Sequence, residues 1–316
     1  MCASRGGESP LRSTHHHNRG ASESDFQFPG LNIALATPFD ANGQIAFGQL
    51  EENIERYIEA GIQGFLLSSG TGIHVYLTPE ESAELVARGA KIINGRAKVM
   101  AQTSALLVED VVARTRLAAD NGVDGVMVMP PFFEGPRSDD DLFAFYETVG
   151  EGGLPIIGYN VPGGAVPTIS PALFRRLVAE IPNFVTVKDS RGDLGAEAEL
   201  IRTGLPVLNG SDTLAAYALY AGAAGVIWGG ANIAPKACAA FVGAAMRGEW
   251  AQARELWRPL EPLMSHLDQG DYVQSVYAAA EIAGFSVGTP RRPFSPLSAD
   301  KVAVLQTLVE ELLATV

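Results

Sequence analysis

Cysteine is almost absent from this chain of 316 residues. Cys2 lies in a polar stretch and Cys238 in an apolar helical stretch, so neither a disulfide framework nor a cysteine zinc site is indicated. The sequence has no obvious cluster of metal ligands either, and we expect no bound metal. A reducing cytoplasm is therefore the expected location.

Basic charge is also scarce, with 23 Lys and Arg against 36 Asp and Glu and a formal net charge of −13. Nucleic-acid surfaces and docking on anionic membranes both need clustered Lys and Arg. No apolar run reaches the roughly 18 residues of a membrane-spanning helix. We therefore expect a small-molecule partner, no nucleic acid and no membrane.

What the chain does contain is a regular alternation of short apolar runs with amphipathic stretches, which is typical of successive βα units. Eight strands are predicted, at residues 31–36, 64–67, 97–102, 124–129, 155–159, 184–188, 206–209 and 225–228. A helix is predicted over 79–93, with Thr78 as its N-cap and Glu81 completing a capping box. No Gly-x-Gly-x-x-Gly follows the first strand, which argues against an open doubly wound sheet. The predicted fold class is α/β, a (β/α)8 TIM barrel with a C-terminal helical appendage.

The domain boundaries follow from the same pattern. Residues 1–26 carry no apolar periodicity and are expected to be a flexible tail, whose His15, His16 and His17 do not make a preorganised metal site. The barrel is expected over residues 27–235. Residues 236–316 are expected to form the last barrel helix and C-terminal helices packed on the barrel, at about 250–267, 272–283 and 299–313.

Lys188 ends the sixth predicted strand, where residues 183–190 read NFVTVKDS. Barrel enzymes build their active sites at the carboxyl ends of the strands. Burying an ammonium costs several kcal/mol unless it is paired or deprotonated, and a free amine attacks a carbonyl. The spacing alone fits a structural lysine paired with Asp189 equally well.

Two further segments lie at predicted strand ends. Tyr159 closes the fifth strand beside Lys188, where its hydroxyl can supply the acid and base that carbonyl chemistry requires. Its position alone fits a tyrosine bonded to backbone as well. Residues 68–72, SSGTG, follow the second strand and offer amides and hydroxyls for a carboxylate, although a plain turn explains this segment better on its own.

In this order, the three segments resemble the dihydrodipicolinate synthase and N-acetylneuraminate lyase family of pyruvate-dependent enzymes, here as a divergent member. The resemblance spans about residues 31–313. Its motifs are ATPF at 36–39, GYNVP at 158–162, VKD at 187–189, LNGSD at 208–212 and GVI at 225–227.

The resemblance implies specific roles for these residues. Lys188 would form a Schiff base with pyruvate or a related 2-oxo acid, and Tyr159 would donate and accept protons. Thr71, with Gly70 and Gly72, would hold the pyruvate carboxylate. Such an imine needs no external cofactor.

The resemblance also implies that Ile227 lines the pocket floor. The family is usually a tetramer built from dimers, so we expect a homo-oligomer, either a tetramer or a dimer.

Several positions depart from the synthase branch of this family. Its turn reads GTTGE, whereas Gly70 and Ile73 stand here in place of the first Thr and the Glu. Phe132 and Phe133 occupy the loop from which the synthase sends a tyrosine across a subunit interface. In the synthase branch an arginine binds the carboxylate of the second substrate, and Gly164 stands at that position here. These departures disfavour dihydrodipicolinate synthase activity itself.

Other residues are candidates to replace the lost groups. His74 either substitutes for the proton shuttle or fills a subunit contact. Arg191 either binds a distal carboxylate or is an exposed loop arginine. Gly229, at the end of the eighth strand, is a further candidate. Trp228, with the phenylalanine pair at 132 and 133, suggests an apolar rim for bulky 2-oxo acids, although core packing explains such residues equally well.

The leading interpretation is a Schiff-base-forming carbon–carbon lyase, an aldolase that cleaves or forms a 2-oxo acid with pyruvate as one component. One alternative is a dehydratase of a 2-oxo-3-deoxy sugar acid, because that branch carries Gly-Thr-Gly without the extra Thr. The other is a non-catalytic 2-oxo acid binding protein that kept the lysine pocket.

Overall fold

The computed structural model describes residues 28–136, 138–161 and 167–315. Eight parallel strands close into a barrel in chain order. They are β1 Gly30–Ala34, β2 Gly64–Leu67, β3 Lys98–Gln102, β4 Gly125–Val128, β5 Ile156–Asn160, β6 Phe184–Asp189, β7 Val207–Asn209 and β8 Gly225–Trp228. The predicted (β/α)8 barrel is confirmed, with each strand end within two residues of its predicted position.

The helices follow the strands in alternation, and three more come after the eighth unit. They are α1 Phe47–Glu59, α2 Pro79–Ile93, α3 Val108–Asp120, α4 Asp139–Gly150, α5 Pro171–Glu180, α6 Leu194–Ile201, α7 Ala215–Ala221, α8 Pro235–Met246, α9 Trp250–Leu267, α10 Tyr272–Ile282 and α11 Ala299–Leu313. Short 3₁₀ turns lie at His74–Tyr76, Asp212–Leu214 and Gly230–Asn232. The predicted tail and Gly164 lie outside the described residues.

The capping box predicted for α2 is present. The Thr78 hydroxyl accepts from the Glu81 amide at 3.2 Å, and the Glu81 carboxylate accepts from the Thr78 amide at 2.9 Å. Each bond satisfies an amide that a helix start would otherwise leave free. Local sequence chemistry thus fixes where α2 begins.

Two layers of apolar side chains hold the barrel. The interior layer includes Leu66, Met127, Ile157 and Ile227. A larger layer lies between the strands and the helices. Because side chains alternate along a strand, residues two positions beyond these interior residues also face the barrel axis, at the carboxyl ends of the strands.

The C-terminal helices pack closely on the barrel. Trp257 of α9 stacks on Trp228 of β8, with ring centroids 6.0 Å apart, and packs at a tilt against Phe241 of α8 at 5.0 Å. The hydroxyl of Tyr277 in α10 donates to the Thr37 carbonyl at 2.8 Å. These contacts hold α10 over the end of the barrel where β1 finishes.

None of the helices described here is long and apolar enough to cross a membrane. Across the same residues, no group of three or more His, Cys, Asp and Glu side chains is arranged to hold a metal ion.

Candidate active site

A β-bulge in β6 determines where Lys188 points. Phe184 pairs with Ile156 and Thr186 pairs with Ile157, so Val185 is an extra residue in the strand. A bulge shifts the alternation of the side chains that follow it. Phe184 packs toward the helices, yet Lys188, four positions later, lines a cavity at the mouth of the barrel.

Tyr159 of β5 is the direct partner of Lys188 in the strand register. The Lys188 amine lies 4.7 Å from the centroid of the Tyr159 ring, and the lysine is 5% exposed. Lys188 forms no salt bridge with any residue that the structure describes. A lysine amine that no carboxylate holds in an ion pair is free to approach the carbonyl of a bound substrate.

Asp189 does not pair with Lys188. Its carboxylate accepts from the Arg191 guanidinium at distances of 2.5 to 3.1 Å and from the Arg191 amide at 3.0 Å. The structural alternative for Lys188, an ion pair with Asp189, is therefore not found. Arg191 lines the cavity, but its guanidinium is already engaged.

The cavity has a volume of about 480 Å³, within the size range of small-molecule sites. It brings together Lys188, Tyr159, Thr71, Gly70 and Ile227 with two of the further candidates, Arg191 and Gly229. These residues come from the ends of four strands, β2, β5, β6 and β8, or from the loops that follow them. The grouping expected from sequence is thus present around one space.

In the turn after β2, Gly70 has free space beside it, whereas Gly72 is packed tightly against the chain that follows β1. A Cβ at Gly70 would meet no atom within 4 Å, whereas a Cβ at Gly72 would lie 2.7 Å from the Leu35 carbonyl oxygen. The Gly72 amide donates to the Ser69 hydroxyl at 2.9 Å. Gly72 therefore packs the turn against β1 and does not line the cavity, while Thr71 and Gly70 do.

Three other candidates lie away from this cavity. His74 bonds to Gln102 through its Nε2 at 3.1 Å, and burial, with the Arg114 charge, lowers the pKa of His74 to about 4. Phe132 is half-buried and Phe133 is 80% exposed. None of the three is part of the cavity lining among the described residues.

Trp228 does not contribute to an apolar rim of the cavity. Trp228 is fully buried on the helix side of β8, where it stacks on Phe241 and Trp257. Its neighbour Ile227 faces the interior instead, because side chains alternate along the strand.

Gly210 and Ser190 are cavity residues that sequence reasoning did not select. A Cβ at Gly210 would collide with the Lys188 Cε and the Ser190 hydroxyl. The Ser190 hydroxyl has no hydrogen-bond partner among the described residues. Gly210 lies in the LNGSD motif. The motif therefore indicated this segment of the chain but not the role of Gly210.

Asp212 and Tyr272 form a second pair in the same cavity. The Tyr272 hydroxyl donates to Asp212 Oδ2 at 2.6 Å, and the Gly230 amide donates to Asp212 Oδ1 at 2.8 Å. Burial raises the pKa of Asp212 to about 6, against the lowering effect of both hydrogen bonds. Tyr272 begins α10, more than a hundred residues beyond Tyr159, and no local motif marked it.

The sequence model of the dihydrodipicolinate synthetase family matches residues 27–312. The chain belongs to this family. The 4-hydroxy-tetrahydrodipicolinate synthase of Bacillus subtilis (strain 168) is 31% identical over 288 residues, which cover 90% of this chain and 99% of that protein. This family membership is consistent with the barrel and with the motifs at its strand ends.

Solved structures of the dihydrodipicolinate synthetase family are similar to this chain over most of its length. Dihydrodipicolinate synthase from Thermotoga maritima gives a TM-score of 0.86 at 28% identity and covers 91% of this chain and 99% of its own. YagE, a prophage protein of the same family from E. coli K12, was solved in complex with pyruvate. It gives a TM-score of 0.85 at 25% identity and covers 90% and 98% of the two chains.

Members of the family are lyases. Aldolases of the family use a covalent lysine Schiff base with pyruvate and no metal or external cofactor.

Proposed function

We propose that this protein is a Schiff-base-forming lyase in which Lys188 captures the carbonyl of pyruvate or of a larger 2-oxo acid. The observation that carries the proposal is the buried Lys188 amine, which faces the Tyr159 ring in a cavity of about 480 Å³. A merely structural lysine would pair with a carboxylate, and the adjacent Asp189 is taken by Arg191.

The chemistry follows from these two side chains. The amine of Lys188 adds to C2 of the 2-oxo acid, and the carbinolamine loses water to give an iminium. Tyr159 donates the proton that this oxygen needs to leave, and it then accepts the proton of the substrate 4-hydroxyl. The iminium withdraws the electron pair of the C3–C4 bond, which leaves an enamine and releases an aldehyde. The reverse sequence adds pyruvate to an aldehyde.

Thr71 is the proposed anchor for the substrate carboxylate. Its hydroxyl lies at the cavity wall, and Gly70 beside it adds no side chain to block access. A carboxylate held there would keep C2 in reach of Lys188, so that the reacting atoms meet in a defined geometry. Ile227 closes the floor of the cavity.

We propose a substrate whose distal part is hydroxylated and uncharged. The outer cavity wall includes hydroxyls of Ser211 and Thr213 and the carboxylate of Asp268, which accepts from both. Arg191, which also lines the cavity, is engaged by Asp189. Such a wall matches hydroxyl groups better than a second carboxylate or an aromatic ring.

This wall also supports the second candidate, a dehydratase of a 2-oxo-3-deoxy sugar acid, because that substrate is equally rich in hydroxyls. The non-catalytic alternative is less well supported, since a binding protein has no need of the Lys188 and Tyr159 pairing. Dihydrodipicolinate synthase activity itself is disfavoured, because Gly70 leaves open space where that branch carries a hydroxyl.

We further propose a homo-oligomer, a dimer or a tetramer, in the cytoplasm. Apolar side chains are exposed on the loops after three neighbouring strands, β2, β3 and β4. This rim patch consists of Val75 (57% exposed), Tyr76 (41%), Leu106 (70%), Leu107 (61%) and Phe133 (80%). A second copy of the chain that covers the rim patch would remove this apolar surface from water.

Borohydride reduction in the presence of pyruvate tests the proposal. An imine becomes a stable amine, so the intact mass should rise by one reduced pyruvate and peptide mapping should place it on Lys188. Lys188→Arg keeps the charge and serves as the control, in which no adduct should form. An unmodified wild-type protein would reject pyruvate as the captured substrate.

Product analysis separates the candidate reactions. Cleavage releases pyruvate from a 4-hydroxy-2-oxo acid, whereas dehydration conserves the carbon chain. Incubation of pyruvate with aspartate semialdehyde tests the disfavoured synthase activity directly.

A further inference from the structure

Two phenols reach the cavity from different sides of the barrel. Tyr159 stands at the end of β5, and Tyr272 comes from the first residue of α10. The Tyr272 hydroxyl lies at the end of β8, because a Cβ at Gly229 would collide with it. Lys188 on β6 stands between them in the strand order. A substrate held by Lys188 is therefore flanked by a hydroxyl on either side.

The Tyr272 hydroxyl is open to the cavity. A Cβ at Gly229 would also lie 3.2 Å from the Thr71 hydroxyl oxygen. The Tyr272 hydroxyl and Thr71, the proposed carboxylate anchor, are therefore close to each other. The Tyr272 oxygen donates to Asp212, and in the described part of the chain no group donates to it. Its lone pairs remain available for a proton of the substrate.

Asp212 is suited to receive a proton from Tyr272. It is 1% exposed, and each of its oxygens accepts one hydrogen bond, from Tyr272 and from Gly230. Within the described residues it forms no salt bridge, although the nearby Lys188 charge acts to lower its pKa and the Asp268 charge acts to raise it. Its pKa is raised to about 6 by burial, which allows it to gain and lose a proton near neutral pH.

A purely structural role for this hydrogen bond is not required by the fold. Helix α10 is tied to the barrel independently by Tyr277, whose buried hydroxyl donates to the Thr37 carbonyl at 2.8 Å. The hydrogen bond from Tyr272 instead requires a buried carboxylate inside the candidate active site. Burying such a polar group costs free energy.

We propose that Tyr272 is a catalytic residue that removes and returns a proton at C3 of the imine-bound 2-oxo acid, with Asp212 storing the proton. This inference rests on the proposed lyase function. It divides the proton transfers between the two phenols, with Tyr159 acting at the oxygens and Tyr272 acting at carbon.

The step balances in protons and electrons. The C3–H bond of the iminium breaks, and its electron pair becomes the C2–C3 double bond while the C–N π pair moves to nitrogen. The proton passes to the Tyr272 oxygen as the phenol's own proton moves to Asp212 Oδ2. In the reverse direction Asp212 returns its proton through Tyr272, and the enamine electron pair forms the new C3–H bond.

The test uses pyruvate alone as the probe, so it does not depend on the identity of the aldehyde. In D₂O, nuclear magnetic resonance follows exchange of the pyruvate C3 protons, while borohydride trapping measures imine formation separately. We expect Tyr272→Phe to trap pyruvate like the wild type but to exchange its C3 protons at least about 100-fold more slowly. Asp212→Asn should behave likewise, because an amide cannot store the proton.

Tyr277→Phe is the matched control, since it removes a buried hydroxyl from the same helix outside the cavity. It should exchange within about threefold of the wild type. Wild-type exchange rates in Tyr272→Phe would overturn the inference, and so would a wild type that traps pyruvate without exchanging it. If the wild type does not trap pyruvate at all, the lyase proposal itself fails, and the two failures are thus distinguishable.

Discussion

The amine of Lys188 lies 4.7 Å from the centroid of the Tyr159 ring, directly across the β5–β6 pair. A cation over an aromatic face is stabilised by roughly 0.5–2 kcal/mol, depending on its desolvation. The iminium of a Schiff base is such a cation. Tyr159 is therefore placed to act on the imine through its ring as well as through its hydroxyl.

Tyr159→Phe separates these two contributions, because it keeps the ring and removes the hydroxyl. We expect pyruvate to be trapped still on Lys188, but at a rate at least about 100-fold lower, since dehydration of the carbinolamine loses its proton donor. The measurement is the rate of adduct formation under borohydride.

Tyr57→Phe provides the matched control for that variant. The Tyr57 hydroxyl donates to the Asn232 carbonyl at 3.0 Å, and the residue is fully buried outside the cavity lining. This variant should lose stability but keep the wild-type trapping rate. Equal rates in Tyr159→Phe and the wild type would contradict the role of the hydroxyl.

Two glycines of the cavity lining predict opposite responses to alanine. A methyl group at Gly210 would collide with the Lys188 side chain, whereas a methyl group at Gly70 would meet nothing within 4 Å. Gly210→Ala should therefore displace the amine and reduce pyruvate trapping by at least about tenfold, which corresponds to about 1.4 kcal/mol. Gly70→Ala should leave the Lys188 amine in place and should trap pyruvate faster than Gly210→Ala does.

Thermal unfolding measured alongside distinguishes displacement from loss of the fold. Gly210→Ala should remain folded at the assay temperature, so that reduced trapping reports the position of Lys188. Normal trapping in Gly210→Ala would show that the lysine side chain adapts freely and that Gly210 is not needed for its placement.

The barrel was predictable because its signals are local. Strands are short apolar runs, and Thr78 with Glu81 marks a helix start within four residues. The orientation of Lys188 was not predictable in the same way. Strict alternation from Phe184, which faces the helices, would point Lys188 outward, and only the extra residue at Val185 turns it inward. A bulge depends on the pairing with the neighbouring strand, which the sequence of β6 alone does not contain.

The site was predicted only where residues share a strand end with a motif. Tyr272 and Asp212 are separated by 60 positions and meet because α10 folds back over the barrel. His74 differs, because it follows the Thr71 turn in sequence yet bonds to Gln102 and is not part of the cavity lining. A position just after a strand end therefore does not by itself place a residue in the cavity. Residues far apart in the sequence can also meet there.

Glu197 predicts a pH-dependent stability. This carboxyl on α6 is 2% exposed, and both its oxygens accept from the Asn209 amide, at 2.9 and 3.1 Å. Burial, aided by the Asp189 charge, raises the pKa of Glu197 from 4.5 to about 7. The folded state thus favours the protonated form, so the stability from this group is full below pH 4.5 and is lost as the pH rises through about 7.

Glu197→Gln should remove that loss, because the amide stays neutral and its carbonyl still accepts from Asn209. Between pH 5 and pH 8, the free energy of unfolding of the variant should rise relative to the wild type by about 2.5 kcal/mol. Urea unfolding at both pH values measures it. Glu199→Gln, at an exposed site on the same helix, should show no such difference. Parallel pH profiles for Glu197→Gln and the wild type would refute the assignment.

The rim patch predicts association through the end of the barrel that carries the cavity. Leu106 and Phe133 are its most exposed members, at 70% and 80%. A glutamate at each position would place two charges in an apolar interface, and burying unpaired charge costs several kcal/mol. Leu106→Glu with Phe133→Glu should therefore weaken self-association at least about 100-fold, since each 1.4 kcal/mol is a tenfold change.

Sedimentation velocity over a range of concentrations tests this prediction, with Val304→Glu as the control. Val304 is 47% exposed on α11, so it carries a similar change to a different face of the molecule. The control should sediment as the wild type does, while the double variant should shift to the mass of one chain. An unchanged oligomer in the double variant would mean that the copies meet through another surface, and the exposed loops after β2, β3 and β4 would then need a different explanation.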